Sequence, residues 1–146
     1  MPHIGRNTVP EAWINLHFSV GVLILTLMVV RLVARLTLGV PHLPADIPGW
    51  QRIAAQASHL ALYVLLAVIP LLGWANASAR GFTISLFGLL PLPALVETGN
   101  AFGRAVGDVH ANLAIVLIVL VGLHVLAALY HQLVRRDHIF RRIWFG

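Results

Sequence analysis

Three stretches of the chain are almost uninterrupted runs of apolar residues. Each is long enough to cross a bilayer as one helix. They cover residues 12–36, 52–74 and 107–132. Polar segments precede and separate them, and residues 39–50 hold three prolines, which a helix interior does not tolerate. The pattern predicts an all-α membrane protein with three transmembrane helices, organised as a single domain over residues 1–146.

The longest connection, residues 75–106, contains an apolar centre at residues 82–96, FTISLFGLLPLPALV. This centre is shorter than a membrane-spanning helix needs to be, and Pro91 and Pro93 interrupt it. We therefore interpret the connection as an interfacial or re-entrant lid and not as a further crossing.

Composition agrees with a membrane protein, since 59% of the 146 residues are hydrophobic and only 10% are charged. A soluble domain normally carries about 25% charged residues. The chain has ten arginines and no lysine, and most of the arginines lie at the ends of the apolar runs. That placement indicates topology signals and headgroup anchors, and it argues against a nucleic-acid surface.

The arginines divide unequally between the two sides of the predicted membrane segments. Seven lie on one side, namely Arg31, Arg35, Arg52, Arg135, Arg136, Arg141 and Arg142. Three lie on the other, namely Arg6, Arg80 and Arg104. The excess predicts a cytoplasmic first loop and a cytoplasmic C-terminus. Three crossings then place the N-terminus outside, although residues 1–11 do not have the pattern of a secretory signal.

Two histidines, His110 and His124, lie fourteen residues apart within the third run. Helical geometry separates them by about 21 Å along the axis and by about 40° around it, so both imidazoles leave nearly the same face. Ionisable groups at membrane depth are costly and usually functional. The pair predicts two stacked metal centres, one near each leaflet. Because the chain has no cysteine, a metal or haem would have to be held by imidazole.

His17 lies early in the first run, at the depth expected of His110. Two parallel helices can thus present imidazoles from opposite sides of one plane, which is what a b-type haem with two histidine ligands needs. Gly21 and Ala114 each follow a histidine by one turn and leave room for a flat macrocycle. The alternative interpretation is a pair of buried histidines that hydrogen-bond backbone carbonyls.

His124 needs a partner nearer the cytoplasm, and His59 is the other histidine inside a run at about that level. His59 has alternative roles as a contact to quinone, to a haem propionate or to a neighbouring helix. Arg31 and Arg35 reach the same depth, where they would pair with propionates or anchor the helix at the headgroups.

The remaining histidines are interpreted as interfacial or surface residues: His3, His42, His131 and His138. Ser78 and Arg80 are weaker candidates for an outer propionate. The chain shows no nucleophile–base pair, paired carboxylate site, phosphate loop or zinc motif. Hydrolytic chemistry is therefore not expected, and no catalytic residue is assigned.

Four segments together resemble the bacterial cytochrome b561 family, which is related to the cytochrome b subunits of Ni/Fe-hydrogenase and formate dehydrogenase. They are LHFSVGVLILTLMVVRLVARL, ASHLALYVLLAVIPLLGW, SLFGLLPLPALV and VHANLAIVLIVLVGLHVLAALYHQLVRRD. The similarity extends over nearly the whole chain. Its most specific parts are the fourteen-residue histidine pair and the first span, with histidine near its start and two arginines near its end.

The resemblance implies a bundle of four helices that binds two b haems, of which this chain would supply the last three helices. It pairs His17 with His110 on the outer haem. It pairs His124 with a histidine of an additional N-terminal helix that this sequence lacks, so that Met1 is expected to be an internal or misassigned start, or a true truncation. One haem is then complete within the chain. The inner site is completed by His59, five-coordinate, or empty.

The implied function is electron transfer across the bacterial inner membrane between a periplasmic donor and the quinone pool, with superoxide:ubiquinone oxidoreductase activity in some family members. One alternative is a haem-bearing membrane anchor of a dehydrogenase or hydrogenase. Another is a haem-free structural membrane protein. The expected partners are the lipid bilayer, a quinone and either a redox subunit or a second copy of the chain, without nucleic acid.

Overall fold

Three long helices carry the apolar runs in the computed structural model, which describes residues 12–39 and 48–135. They are α1 (Ala12–Leu38), α2 (Gly49–Ala79) and α3 (Ala101–Tyr130). A single π-helical turn, His131–Arg135, continues α3. Each of the three helices is long and apolar enough to cross a membrane. The prediction of an all-α membrane protein with three transmembrane helices is confirmed for the described residues.

Several sequence predictions lie outside the described residues. They concern the polar lead-in 1–11, most of the proline-containing loop 39–50, and the basic tail that follows Arg135. The affected side chains are His3, His42 and His138 together with Arg6, Arg136, Arg141 and Arg142.

The helices begin and end at residues that suit those positions. Pro48 immediately precedes α2, where its missing N–H is not needed. Gly81 follows the end of α2 with a φ of 81°, a left-handed conformation that glycine adopts without strain. Asn100 precedes α3, and its side chain accepts a hydrogen bond from the backbone N–H of Gly103. Helices α2 and α3 are thereby longer than the runs 52–74 and 107–132, and the connection between them shortens to residues 80–100.

Small residues allow α2 and α3 to approach closely near the hairpin end of the molecule. A β-carbon built on Gly103 would lie 2.6 Å from Cβ of Ala79, and one on Gly107 would lie 2.7 Å from Nδ2 of Asn76. The same Asn76 Nδ2 donates to the carbonyl of Gly103 at 2.8 Å and to that of Arg104 at 3.2 Å. Close backbone packing and interhelical hydrogen bonds are what hold helices together in lipid, where apolar burial gives little driving force.

The connection between α2 and α3 folds into a small β-hairpin. Strand β1 (Ser85–Leu86) pairs antiparallel with β2 (Leu90–Pro91) across a turn at Phe87 and Gly88, both of which have positive φ. The hairpin packs against α1 through Ser19 and against α2 through Ser78. Among the described residues, the buried apolar side chains are those of Ile69, Ala75, Ala77, Ala79, Ile84 and Val106, and most of them lie at this end.

The opposite end of the bundle carries most of the described arginines. Arg31 and Arg35 lie near the end of α1, Arg52 near the start of α2, and Arg135 at the end of the π-helical turn. Arg135 Nη1 donates to Oε1 of Gln51 at 3.1 Å, which places these ends side by side. Only Arg80 and Arg104 among the described arginines lie at the hairpin end.

Candidate functional site

His17 of α1 and His110 of α3 face each other near the hairpin end. Their ring centroids lie 6.0 Å apart, with an interplanar angle of 85°. A metal–imidazole nitrogen bond is about 2 Å long, and the ring centre lies about 1 Å beyond the nitrogen, so two imidazoles on opposite sides of one iron have centroids about 6 Å apart. The observed separation therefore fits two axial ligands of one haem.

The tautomer of His110 is set by the helix opposite. Its Nδ1 lies 2.9 Å from the carbonyl oxygen of Ile69, in α2. Because a carbonyl oxygen only accepts hydrogen bonds, Nδ1 is the donor in this contact, and Nε2 is the nitrogen left to bind a metal. Imidazoles that bind metals usually donate their second nitrogen in this way, which fixes the ring orientation and raises its basicity as a ligand.

Glycine and alanine make space around this pair. A cavity of about 200 Å³ lies between the helices at the level of the two histidines, and its walls are almost entirely apolar. Gly21 and Ala114 line it, as the sequence predicted, and a β-carbon built on Gly21 would meet nothing within 4 Å. Ile84 of the hairpin connection, only 4% exposed, forms part of the wall.

A second cavity, of about 360 Å³, lies closer to the arginine-rich end. His59 of α2 and His124 of α3 line it, and their ring centroids are 5.3 Å apart. Arg31 and Arg35 of α1 also line it, and both contact Tyr63. Arg31 Nε donates to the tyrosine hydroxyl at 3.3 Å, and the guanidinium of Arg35 lies 5.6 Å from the ring centroid, within cation–π range. This cavity thus combines two imidazoles with two cations.

The four membrane-embedded histidines singled out from the sequence lie in two facing pairs. The weaker candidates for an outer propionate have other hydrogen-bond partners. Ser78 Oγ accepts from the backbone N–H of Leu95, and Arg80 Nε donates to Oδ1 of Asn76. Tyr63 was not predicted, although its position four residues after His59 places both on one helix face. His131 lies at the end of α3, beside the ring of Tyr130.

Comparison with known proteins identifies the family of the chain. The family model described as prokaryotic cytochrome b561 matches residues 2–146. The chain belongs to the prokaryotic cytochrome b561 family. It is accordingly a haem b-binding electron-transfer protein of the bacterial inner membrane, as the resemblance in its histidine-bearing helices implied.

Individual relatives agree with this assignment. The chain is 34% identical over 132 residues to a protein named cytochrome b561 homolog 2 from Escherichia coli strain K12, with 88% of this chain and 69% of the relative covered. It is 30% identical over 135 residues to a probable superoxide oxidase from Yersinia pestis, with 91% and 76% covered. It is also 34% identical over 131 residues to a cytochrome b562 from Cereibacter sphaeroides, with 88% and 65% covered. No solved structure shows significant similarity to the chain.

Proposed function

We propose that this cytochrome carries electrons between a donor on the periplasmic side and the membrane quinone pool, with His17 and His110 as the axial ligands of one haem b. The observation that carries the proposal is the 6.0 Å separation of the two facing rings. A haem with two imidazole ligands exchanges single electrons and offers no free iron position to oxygen. The chain is expected to complete this one haem from its own residues.

The surrounding residues hold and shield this site. The carbonyl of Ile69 accepts from Nδ1 of His110, which lines the cavity, and so leaves Nε2 as the nitrogen to bind iron. Gly73 lets that ring approach α2, since a β-carbon there would lie 2.8 Å from Cε1 of His110. The walls of the cavity are apolar, and a low-dielectric setting is one means by which a protein tunes a haem potential.

The inner cavity is the proposed second redox site, with His124 as an axial ligand. His59 and Arg31 form a second group of candidates there, to act as the opposite ligand, as partners of haem propionates or as contacts to a quinone headgroup. Their support is the shared cavity, the 5.3 Å spacing of the two imidazoles and the two neighbouring guanidinium groups. Arginine suits such a place because its planar cation pairs bidentately with carboxylates.

The arginine-rich end is proposed to face the cytoplasm, with the C-terminus on that side. Support comes from four described arginines at that end, Arg31, Arg35, Arg52 and Arg135, against Arg80 and Arg104 at the hairpin end. The hairpin end, which holds the His17–His110 pair, then faces the periplasm.

Superoxide:quinone oxidoreductase activity is the candidate specific reaction. Similarity to the probable superoxide oxidase of Yersinia pestis favours it. Arg80 and Arg104, at the end near the His17–His110 pair, would attract an anionic donor.

The test uses the chain expressed with ample haem in a bacterial membrane. Purified protein should show a low-spin haem b spectrum, and His17→Ala and His110→Ala should each lower the number of low-spin haems per chain by one, while His131→Ala leaves that number unchanged. Stopped-flow mixing with superoxide and a soluble quinone then measures the specific reaction. An unchanged number of low-spin haems per chain in both variants contradicts the ligand pair, and absence of any Soret band would favour a haem-free structural protein.

A further inference from the structure

The hairpin presents an apolar tip that no described part of the chain covers. Phe87, Leu89 and Leu90 are all exposed, and 88% of Leu89 is accessible. No charged residue occurs between residues 82 and 96. Phe87 also occupies a turn position with a φ of 51°, where glycine, asparagine or aspartate is the usual residue. A bulky ring there is strained, so the turn keeps an apolar side chain where a polar one would fit better.

Two contacts fix the depth of this tip relative to the helices. The backbone N–H of Phe87 donates to Oγ of Ser19 at 2.8 Å. Ser19 follows the exposed Trp13 by six residues, so it lies about 9 Å further along α1. On the other side of the hairpin, Nε1 of Trp74 donates to the carbonyl of Pro93. Trp74 precedes the end of α2 by five residues, about 8 Å. The hairpin therefore lies alongside the helices, below their ends.

Part of the backbone of the hairpin connection is hydrogen-bonded inside the protein. In lipid, each unpaired N–H or C=O costs several kcal/mol, so irregular backbone needs internal partners. Pro91 and Pro93 have no N–H to satisfy. Four other amides donate within the protein: Phe87 to Ser19, Leu89 to Leu86, Leu92 to Ile84 and Leu95 to Ser78.

We propose that residues 87–90 insert into the acyl-chain region of the leaflet on the hairpin side of the membrane. The occupant of the exposed tip is lipid, because the tip continues the lipid-facing surface of α1. Leu16 and Leu23, the i−3 and i+4 neighbours of Ser19 on that helix, are both exposed apolar residues. The interaction is an amphipathic anchor: apolar side chains enter the membrane while the ends of the hairpin connection stay at the level of the headgroups.

This insertion changes the surroundings of the cavity between His17 and His110. Ile84 lines that cavity, and the ring of Phe82 contacts Phe18 in an edge-on geometry. With the tip in lipid, the outer surface of this wall contacts acyl chains and not water. The hairpin then keeps the outer histidine pair in a low-dielectric environment.

The experiment uses the absence of native cysteine. A nitroxide is attached to Leu89→Cys, to Leu90→Cys and, as a control, to Thr98→Cys, which is exposed close to the start of α3. The variants are reconstituted in vesicles of bacterial lipid, and correct folding is checked from the haem spectrum. Spin relaxation by dissolved oxygen, which concentrates in lipid, is compared with relaxation by a water-soluble nickel chelate.

The ratio of oxygen to nickel accessibility should be several-fold higher at positions 89 and 90 than at position 98. A ratio equal to that at position 98 would show that the tip lies in water and would overturn the proposal. Low accessibility to both reagents would also overturn it, because the tip would then be covered by protein, either a second copy or another segment. None of these outcomes depends on the electron-transfer activity.

Discussion

The imidazole of His110 packs directly on the backbone of Gly73. A β-carbon at position 73 would lie 2.8 Å from Cε1 and 3.0 Å from Nδ1 of that ring. The absent side chain is what allows Nδ1 to reach the carbonyl of Ile69, one helical turn earlier. A glycine on α2 therefore sets the position of a ligand candidate on α3.

The first prediction is that Gly73→Ala weakens haem binding at the outer pair. Overpacking by one methyl group typically costs about 1–3 kcal/mol, which corresponds to about 5- to 150-fold in affinity. The ring must also move away from the Ile69 carbonyl. Haem titration of the purified apoprotein, followed at the Soret band, measures the change.

Gly122→Ala is the matched control, because Gly122 is likewise a glycine inside a long helix, here α3, and a β-carbon there meets nothing within 4 Å. It should bind haem like the unaltered chain. Equal affinities for the Gly73 and Gly122 variants would mean that the contact with His110 does not position the ligand.

Sequence alone predicted much of this site, and the reasons for what it missed are physical. The spacing of His110 and His124 predicted two levels because helical periodicity is regular over fourteen residues. The sequence left several roles open for His59, because the rotation of a helix about its axis depends on packing. Its position facing His124 was one of these alternatives. The role of Gly73 was not predicted, since a close approach between helices leaves no local signature. The hairpin was interpreted as a lid, but its strands are only two residues each, too short for an alternating pattern.

A second prediction concerns the junction between α2 and α3. Asn76→Ala removes two donated hydrogen bonds, to the carbonyls of Gly103 and Arg104, and the acceptor for Nε of Arg80. Interhelical hydrogen bonds in membranes are worth about 0.6 kcal/mol on average and up to about 2 kcal/mol. We expect a loss of about 1–2 kcal/mol in stability, measured by thermal loss of the haem band in detergent.

Asn112→Ala is the comparison for this loss, because Asn112 lies exposed on α3 away from the junction. It should change the midpoint temperature little. If both asparagine variants had the same midpoint temperature as the unaltered chain, the contacts of Asn76 would contribute nothing measurable to the association of α2 and α3.

A third prediction concerns how the hairpin is attached. Ser19 is fully buried and its Oγ accepts from the N–H of Phe87 while lying within hydrogen-bond distance of the Ser85 carbonyl. Ser19→Ala leaves that N–H without its partner, which typically costs about 1–3 kcal/mol. Hydrogen exchange in the peptide covering residues 82–96 should accelerate correspondingly, as read by mass spectrometry in nanodiscs.

Thr26→Ala provides the contrast, because the hydroxyl of Thr26 bonds only to the carbonyl of Val22 on its own helix and is exposed. Exchange in the hairpin should be unaffected by it. Unchanged exchange in the Ser19 variant would indicate that the Phe87 amide is protected without the serine hydroxyl.

The last prediction is that the two histidine pairs act independently. About 21 Å of helix separates His110 from His124, and effects at sites more than about 10 Å apart usually add within about 0.5 kcal/mol. His124→Ala and His59→Ala should therefore leave the low-spin spectrum of the outer pair intact.

The number of low-spin haems per chain, from pyridine haemochrome analysis and electron paramagnetic resonance, then decides the role of His59. A fall of one haem in both variants assigns His59 as the ligand opposite His124. A fall only in the His124 variant assigns His59 to a propionate or quinone contact, and loss of the outer signal in either variant would show that the cavities are coupled.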